Sequence, residues 1–257
     1  MCIRDSDDID YVTAQYTLAL QRGALGVVFY DAYPGVRRRI VVNVLTGYME
    51  GPGLPPPIPV VSISREDGLR LARRGGYAQL VTDATYEEGR ESFNIVAGDV
   101  EDARVVLSAH YDHWLTGAGD DSVGVAILLL LSQELRDTRG VCFIAFGAEE
   151  YGTPSYDPWY WCWGSRNYLR EAGMLLDNLV GVVNIDLLVR HPLTICASGP
   201  EYLEAVKTLA GEKLIYELDS PYFDSYTFSS AGIAALTING MWKYMQYYHT
   251  DRDTPDN

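Results

Sequence analysis

Apolar positions recur along the chain with two different periods. Near the start, Val12, Tyr16 and Ala19 return at helical spacing until Gly23 interrupts them, and ALGVVFYD (24–31) follows as a short apolar run of the kind that forms a buried strand. Beyond a polar turn holding Arg37, Arg38 and Arg39 and the turn-rich GPGLPPP, IPVVSIS (58–64) reads as another strand and EDGLRLARRGG (66–76) as a helix closed by glycines. YAQLVTDAT (77–85) predicts one more strand. From Phe93 the alternation is regular. FNIVAG and RVVLSAH predict strands, Ser122–Arg136 a helix, GVCFIAFG a strand and Arg166–Glu171 the centre of a helix. LVGVVNID and PLTICAS then predict strands, Glu201–Leu209 a helix, and KLIYEL and IAALTIN the last two strands. Apolar strands alternating with helices imply an α/β fold with a largely parallel sheet covered on both faces, three layers in αβα order. The helix from Ser122 is apolar almost all round, which predicts burial against that sheet.

The first of these blocks, on GALGVVFYD and IPVVSISREDGLRLA, resembles the protease-associated domain, a small α/β module found in several peptidase families. The resemblance covers residues 9–90 and implies a cover over an active site or a contact for substrate. The module's usual first strands would precede residue 9, so this copy is expected to be partial. The chain opens with MCIRDS, which has neither signal character nor apolar periodicity and resembles a sequencing scar more than a native start.

Composition narrows the function. A net charge of −15, from 35 acids against 20 Lys plus Arg, argues against a phosphate-backbone partner, so nucleic acid is not expected as a ligand. The longest apolar run, Val123–Leu131, is about half of what a membrane-spanning helix needs. No membrane span is expected, and the chain reads as soluble, secreted or cytoplasmic; oligomeric state and compartment are not set by the sequence. Cys2, Cys142, Cys162 and Cys196 form no CxxC pair, and Cys142 and Cys196 lie in strand-like runs where a thiol fills core. Three adjacent arginines are ordinarily exposed, so Arg37–Arg39 are expected to be a solvated turn.

The chemistry collects at strand ends, where parallel sheets bind ligands. RVVLSA runs into His110 and Asp112, with Asp120 and Asp121 in the loop that follows; GVCFIAFGA runs into Glu149 and Glu150; LVGVVNI ends at Asp186; and IAALTIN is followed by Tyr248, His249 and Asp251. A single strand-end acid is usually a cap or turn former. Acids and imidazoles at one rim in five segments are another matter, because crowded carboxylates repel one another unless a cation lies between them. Two zinc ions, one on His110 and Asp186 and the other on Glu150 and His249, with Asp120 bridging, would set four positive charges against three carboxylates and a hydroxide. That bridging hydroxide would be a nucleophile. Glu149 is then free to act as general base.

In order, AHYD, GDDSVG, FGAEEYG, a Gly-Ser before a helix, VNID and HTDRDT resemble the dizinc exopeptidases that include secreted bacterial aminopeptidases and glutamate carboxypeptidase, over residues 93–257. The resemblance implies two Zn2+ per chain, one on His110, Asp120 and Asp186 and one on Asp120, Glu150 and His249, with Glu149 as general base and peptides as substrates. It makes Asp112 an acid that orients the His110 ring through its other nitrogen, and Tyr248 a donor to the tetrahedral oxyanion. It implies a cis peptide between Asp120 and Asp121. His113 is expected to be a loop residue. TPSYDPWYWCW (153–163) is longer and more aromatic than the family's linker and is expected to rim the substrate pocket or to pack on the first domain. Ala234 stands where the family has proline, and the family continues past residue 257, so the sequence reads as clipped at both ends.

An aminopeptidase is the leading expectation. A glutamate-type carboxypeptidase would need arginines for a substrate carboxylate, for which Arg166 and Arg190 are the candidates. A glutaminyl cyclase relative and a metal-free receptor homologue complete the alternatives.

Overall fold

The computed structural model describes residues 2–4, 9–44, 53–87, 89–151, 161–211 and 213–257. The strand-forming runs from Phe93 onward make a seven-stranded sheet. Its strands are β4 (Ile95–Ala97), β5 (Val105–His110), β6 (Val141–Phe146), β7 (Gly181–Ile185), β8 (Thr194–Ala197), β9 (Ile215–Leu218) and β10 (Ala235–Asn239), in the spatial order β4-β6-β5-β7-β10-β8-β9. The central strands β6, β5, β7 and β10 pair in parallel, so their carboxyl ends share one edge; β4 joins β6 and β8 joins β10 antiparallel. Alternate residues feed opposite faces. Val106, Ile144, Phe146, Val182 and Ala235 pack on one face with Phe228 of α6 (Asp224–Ser230) and Tyr168 of α4 (Trp163–Ala172). Ala109 and Phe143 pack on the other with Leu128 of α3 (Val123–Glu134), and Ile195 and Leu236 with Leu203 of α5 (Pro200–Ala210).

The N-terminal block has a core of its own, made by Val12, Tyr16, Ala19, Val27 and Phe29. Here α1 (Ile9–Gln21) and α2 (Arg65–Arg74) accompany a three-stranded parallel sheet of β1 (Cys2–Arg4), β2 (Val27–Tyr30) and β3 (Val60–Ile63). The Ser64 side chain caps α2 by accepting from the Asp67 N–H at 3.2 Å, and the Gly75 N–H closes its other end on the Leu71 carbonyl.

Two expectations are corrected, at residues 77–85 and at α3, and two elements were not foreseen. Residues 77–85 form no strand: Tyr77 and Val81 are exposed, and β-propensity without a neighbouring strand to complete the ladder does not make one. Within MCIRDS, which has no apolar periodicity, Cys2–Arg4 pairs in parallel with Val28–Tyr30. The helix α3 is not buried all round. Leu128 faces the sheet, whereas Leu129 and Leu130 are 60% and 62% exposed, because a helix lying on a sheet turns only one stripe toward it. The segment Asp224–Ser230, which the apolar pattern does not mark, is the helix α6.

Candidate metal centre

His110 is the last residue of β5 and Asp186 the first residue after β7, its hydrogen-bonded neighbour, so the sheet register brings them together. His110 Nε2 lies 3.8 Å from Asp186 Oδ1 and 3.1 Å from Asp120 Oδ1. Asp120 comes from the irregular turn that precedes α3, with a cis peptide to Asp121, as the resemblance implied. On the other side His249 Nε2 lies 2.8 Å from Asp120 Oδ2 and 2.6 Å from Glu150 Oε1. All five expected ligand residues are buried, and they form two groups, His110–Asp120–Asp186 and Asp120–Glu150–His249, each with its candidate ligand atoms within 4.8 Å of one another. Asp120, placed between the groups, belongs to both.

The loops that deliver these side chains are under local strain. Ala148, Leu187 and His249 have φ of 56°, 53° and 56°, in the left-handed region that costs a residue with a Cβ about 1–3 kcal/mol. Such conformations persist only where surrounding contacts over-determine them. Asp253 supplies one set: its carboxylate accepts from the Gly119 N–H at 2.6 Å, the Asp120 N–H at 3.2 Å and the Tyr244 hydroxyl at 2.8 Å. Asp121 supplies another. Its Oδ1 accepts from the Gly124 N–H at 3.1 Å and the Leu187 N–H at 3.2 Å, which joins the Asp120 turn to the chain after Asp186. A Cβ on Gly124 would stand 2.2 Å from Asp121 Oδ2, so that contact requires glycine.

Asp112 does its work differently from expectation. The His110 Nδ1 is met at 2.9 Å by the main-chain carbonyl of Asp112, and the nearest carboxylate oxygen is 3.9 Å away. The carboxylate instead accepts the N–H groups of Glu149 and Glu150, each at 3.0 Å. A carbonyl at Nδ1 favours a proton there and leaves Nε2, which faces the acids, as the lone-pair nitrogen.

The electrostatics follow from burial and crowding. Burial raises the pKa of Glu149 well above the ordinary carboxylate value, and Glu150, Asp224 and Asp186 add to it. Asp224, also buried, is pushed up to about 7, mainly by burial, against which the Ser165 hydroxyl acts. For His110 burial acts downward, but Glu149, Asp120 and Asp186 outweigh it and hold the imidazole well above its usual value. Asp120 moves the other way: His249 and His110 outweigh burial and keep it ionised. Burial, with Asp120 and Glu150 nearby, raises the Tyr248 phenol well above its usual value, so it stays protonated and can donate; its ring stacks on His249 at 3.6 Å.

The arginine turn is a correction. Arg37 is exposed and pairs with Asp251 at 3.0 Å, but Arg38 and Arg39 are buried. Arg38 pairs with the buried Asp31 at 2.8 Å, and Arg39 Nη2 reaches Glu150 Oε2 at 3.1 Å inside the candidate centre. Three like charges in sequence read as a solvated face, and the acids that neutralise two of them come from Asp31 and from a loop 111 residues away. Cys162 was also missed: buried at the start of α4, its Sγ donates to Glu149 Oε1 at 3.3 Å. His113, as expected, is an exposed loop residue, with Nδ1 3.1 Å from the Leu115 carbonyl. Of the expected aromatic rim, residues 153–160 lie outside the described residues; Trp161 is buried, with its ring 5.3 Å from the Arg39 guanidinium carbon.

The sequence model described as peptidase family M28 matches residues 94–257. Aminopeptidase NAALADL1 of Mus musculus is 32% identical over 172 residues, covering 63% of this chain and 20% of that protein. A probable glutamate carboxypeptidase, LAMP1 of Arabidopsis thaliana, is 29% identical over 128 residues, covering 46% and 18%. The chain thus spans about a fifth of the length of these curated relatives. Among solved structures, BSAP, a zinc aminopeptidase from Bacillus subtilis, superposes with a TM-score of 0.67 at 21% identity, covering 99% of this chain and 64% of that one, which shows a shared fold.

Proposed function

The chain belongs to peptidase family M28 through residues 94–257, and from that premise we propose that it works as a zinc-dependent exopeptidase, specifically an aminopeptidase that removes residues from the amino ends of peptides. One observation carries this reading: two buried groups of ligand type share Asp120, with Glu149 directly beside one of them.

The residues fit a pair of zinc ions. Asp120, Glu150 and Asp186 are 2–3% exposed, so three carboxylates stand together away from water, and each oxygen of Asp120 faces an imidazole. Such a set is stable when cations neutralise it, and imidazole with carboxylate is the donor set of catalytic zinc. In this reading His110, Asp120 and Asp186 hold one ion, and Asp120, Glu150 and His249 the other. When bound, such a pair supplies Lewis-acid polarisation of the scissile carbonyl and brings the pKa of water at the site down to about 7.

Glu149 then takes the proton from the attacking water and returns it to the leaving amine. Tyr248 donates to the developing oxyanion, and the Asp112 carboxylate holds the Glu149–Glu150 backbone so that the base and a ligand move as one unit. Residues 9–90 serve as a protease-associated module and 93–257 as the catalytic domain, a division supported by the separate N-terminal core. For the carboxypeptidase reading, Arg190 offers little: its Nη2 donates to the Asn257 carbonyl at 2.5 Å and its guanidinium lies over Tyr247.

The test is a pair of peptide substrates, one with a free amino end and one blocked, assayed beside zinc analysis of the purified protein. Two zinc per chain with chelator-sensitive cleavage of the free-amine peptide is the expected result. Cleavage of the blocked peptide alone, or activity that survives removal of all metal, would overturn it.

A further inference from the structure

Resting on the dizinc reading above, we infer that the turn Arg37–Arg39 of the N-terminal module is a positioning element for one of the two metal groups, Asp120–Glu150–His249. The turn grips the loop that carries His249 on both sides of that residue. The Arg39 N–H donates to the His249 carbonyl at 2.8 Å, and the Asp251 N–H donates to the Arg37 carbonyl at 2.9 Å. Between them Arg38 and Thr250 form an antiparallel bridge. The Asp251 carboxylate closes the outer side by accepting from the Arg37 N–H at 2.9 Å and from Nη1 at 3.0 Å.

Side chains add a second layer. Arg38 is 6% exposed and Asp31, which accepts from its Nε at 2.8 Å, is 1% exposed. The pair fixes the guanidinium so that Nη1 donates to the Tyr248 carbonyl and Nη2 to the Met245 carbonyl, the latter at 2.9 Å. Positions 245, 248, 249 and 251 of the loop are therefore held by one turn. His249 needs such support, since its left-handed backbone is costly for a β-carbon residue.

Arg39 touches both ligands of the group that loops deliver, with Nη2 2.5 Å from His249 Nδ1 and 3.1 Å from Glu150 Oε2. Glu150 turns Oε1 toward His249 Nε2 at 2.6 Å and leaves Oε2 to accept from Arg39 Nη2 at 3.1 Å and from Trp114 Nε1 at 2.8 Å. The guanidinium lies over the Trp114 and Trp161 rings at 4.8 Å and 5.3 Å, which limits its swing. Donors on the outer oxygen of a carboxylate aim its inner oxygen, and loss of such partners typically weakens metal binding by about 10–100-fold. The His110–Asp120–Asp186 group is anchored within the catalytic domain instead, by strand pairing and Asp121.

The experiment is a metal titration of the chelator-stripped full chain, with folding followed by circular dichroism. The variants are Arg39→Met, Arg39→Lys and the double change Asp31→Asn with Arg38→Met, which leaves no buried carboxylate stranded. Wild type is expected to take two zinc ions. Arg39→Met and the double variant should bind one of them about 10–100-fold more weakly and the other as wild type does, while Arg39→Lys recovers part of the loss. The weakened ion is identified in two backgrounds. With Asp186→Ala the remaining ion should be sensitive to the turn; with Glu150→Ala it should be insensitive. Unchanged affinities, or equal weakening of both ions, overturn the inference while the dizinc reading stands. A wild-type chain that takes fewer than two ions overturns that reading and the inference with it.

Discussion

The two candidate ligand groups share Asp120 but are built by different means. His110 and Asp186 sit at the ends of paired parallel strands, and the buried bond from Ser108 Oγ to Asn184 Oδ1, at 2.9 Å, ties those strands together just below them. Glu150 and His249 meet across 99 residues of sequence, each on a loop, and are held by side chains from other segments. A sheet places ligands through backbone register, which no single side chain can undo. A loop-built group depends on individual polar contacts, and should be the more easily damaged of the two.

The shared residue offers the largest perturbation. Asp120→Ala should lower the affinity of both ions and abolish peptide cleavage; retention of either ion at native affinity in a metal titration would mean that the groups do not share a ligand. Next, Glu149→Gln should reduce kcat by about 10²–10⁴-fold with two zinc per chain retained, since Glu149 shares a loop with Glu150 and belongs to neither group. Metal loss in that variant would place Glu149 among the ligands.

Asp112→Ala separates the groups at lower cost. It removes the acceptor for the Glu149 and Glu150 N–H groups but keeps the carbonyl that meets His110 Nδ1. At about 1–3 kcal/mol for each of the two stranded donors, stability in a denaturant titration should fall by about 2–6 kcal/mol. The ion on the Glu150 side should weaken more than the ion on the His110 side, and the reverse order would contradict the division drawn above.

The smallest effect lies at the edge of the sheet opposite the carboxyl rim, at the end of β9, and serves as a control. Burial pushes Asp219 up to about 6, although it accepts from the Ser225 and Ser229 hydroxyls. The folded state therefore keeps this proton to a higher pH than the unfolded chain, whose carboxyl has the ordinary value near 3.8. Native protein binds more protons in that window, so stability should fall as pH rises from about 4 to 6, by about 1–2 kcal/mol after allowance for partial burial. Asp219→Asn should flatten that slope in thermal melts taken across the window and leave metal affinity alone. A slope unchanged by the substitution would assign the pH dependence elsewhere.

The alternation from Phe93 onward was enough to read the order and type of every strand in the large sheet, because apolar runs of strand length between turn residues have few other uses. Acids and imidazoles immediately after those runs also marked the rim, since a parallel sheet delivers whatever follows its strands to one edge. Sequence alone went no further where a role depends on a partner distant in the chain. Residues 77–85 have strand character and no strand beside them; Leu129 and Leu130 are apolar and face away from the sheet. Arg38 and Arg39 look like surface charge until folding sets them 210 residues away against the loop of Tyr248 and His249. Asp112 was recognised as a supporting acid, yet which of its oxygens serves His110 depends on how two loops pass each other. Local pattern determined the elements and the kinds of ligand at their ends. The tertiary structure decided which polar groups hold those ligands in place, because hydrogen bonds and buried ion pairs are set by distance in space, and chain separation does not encode it.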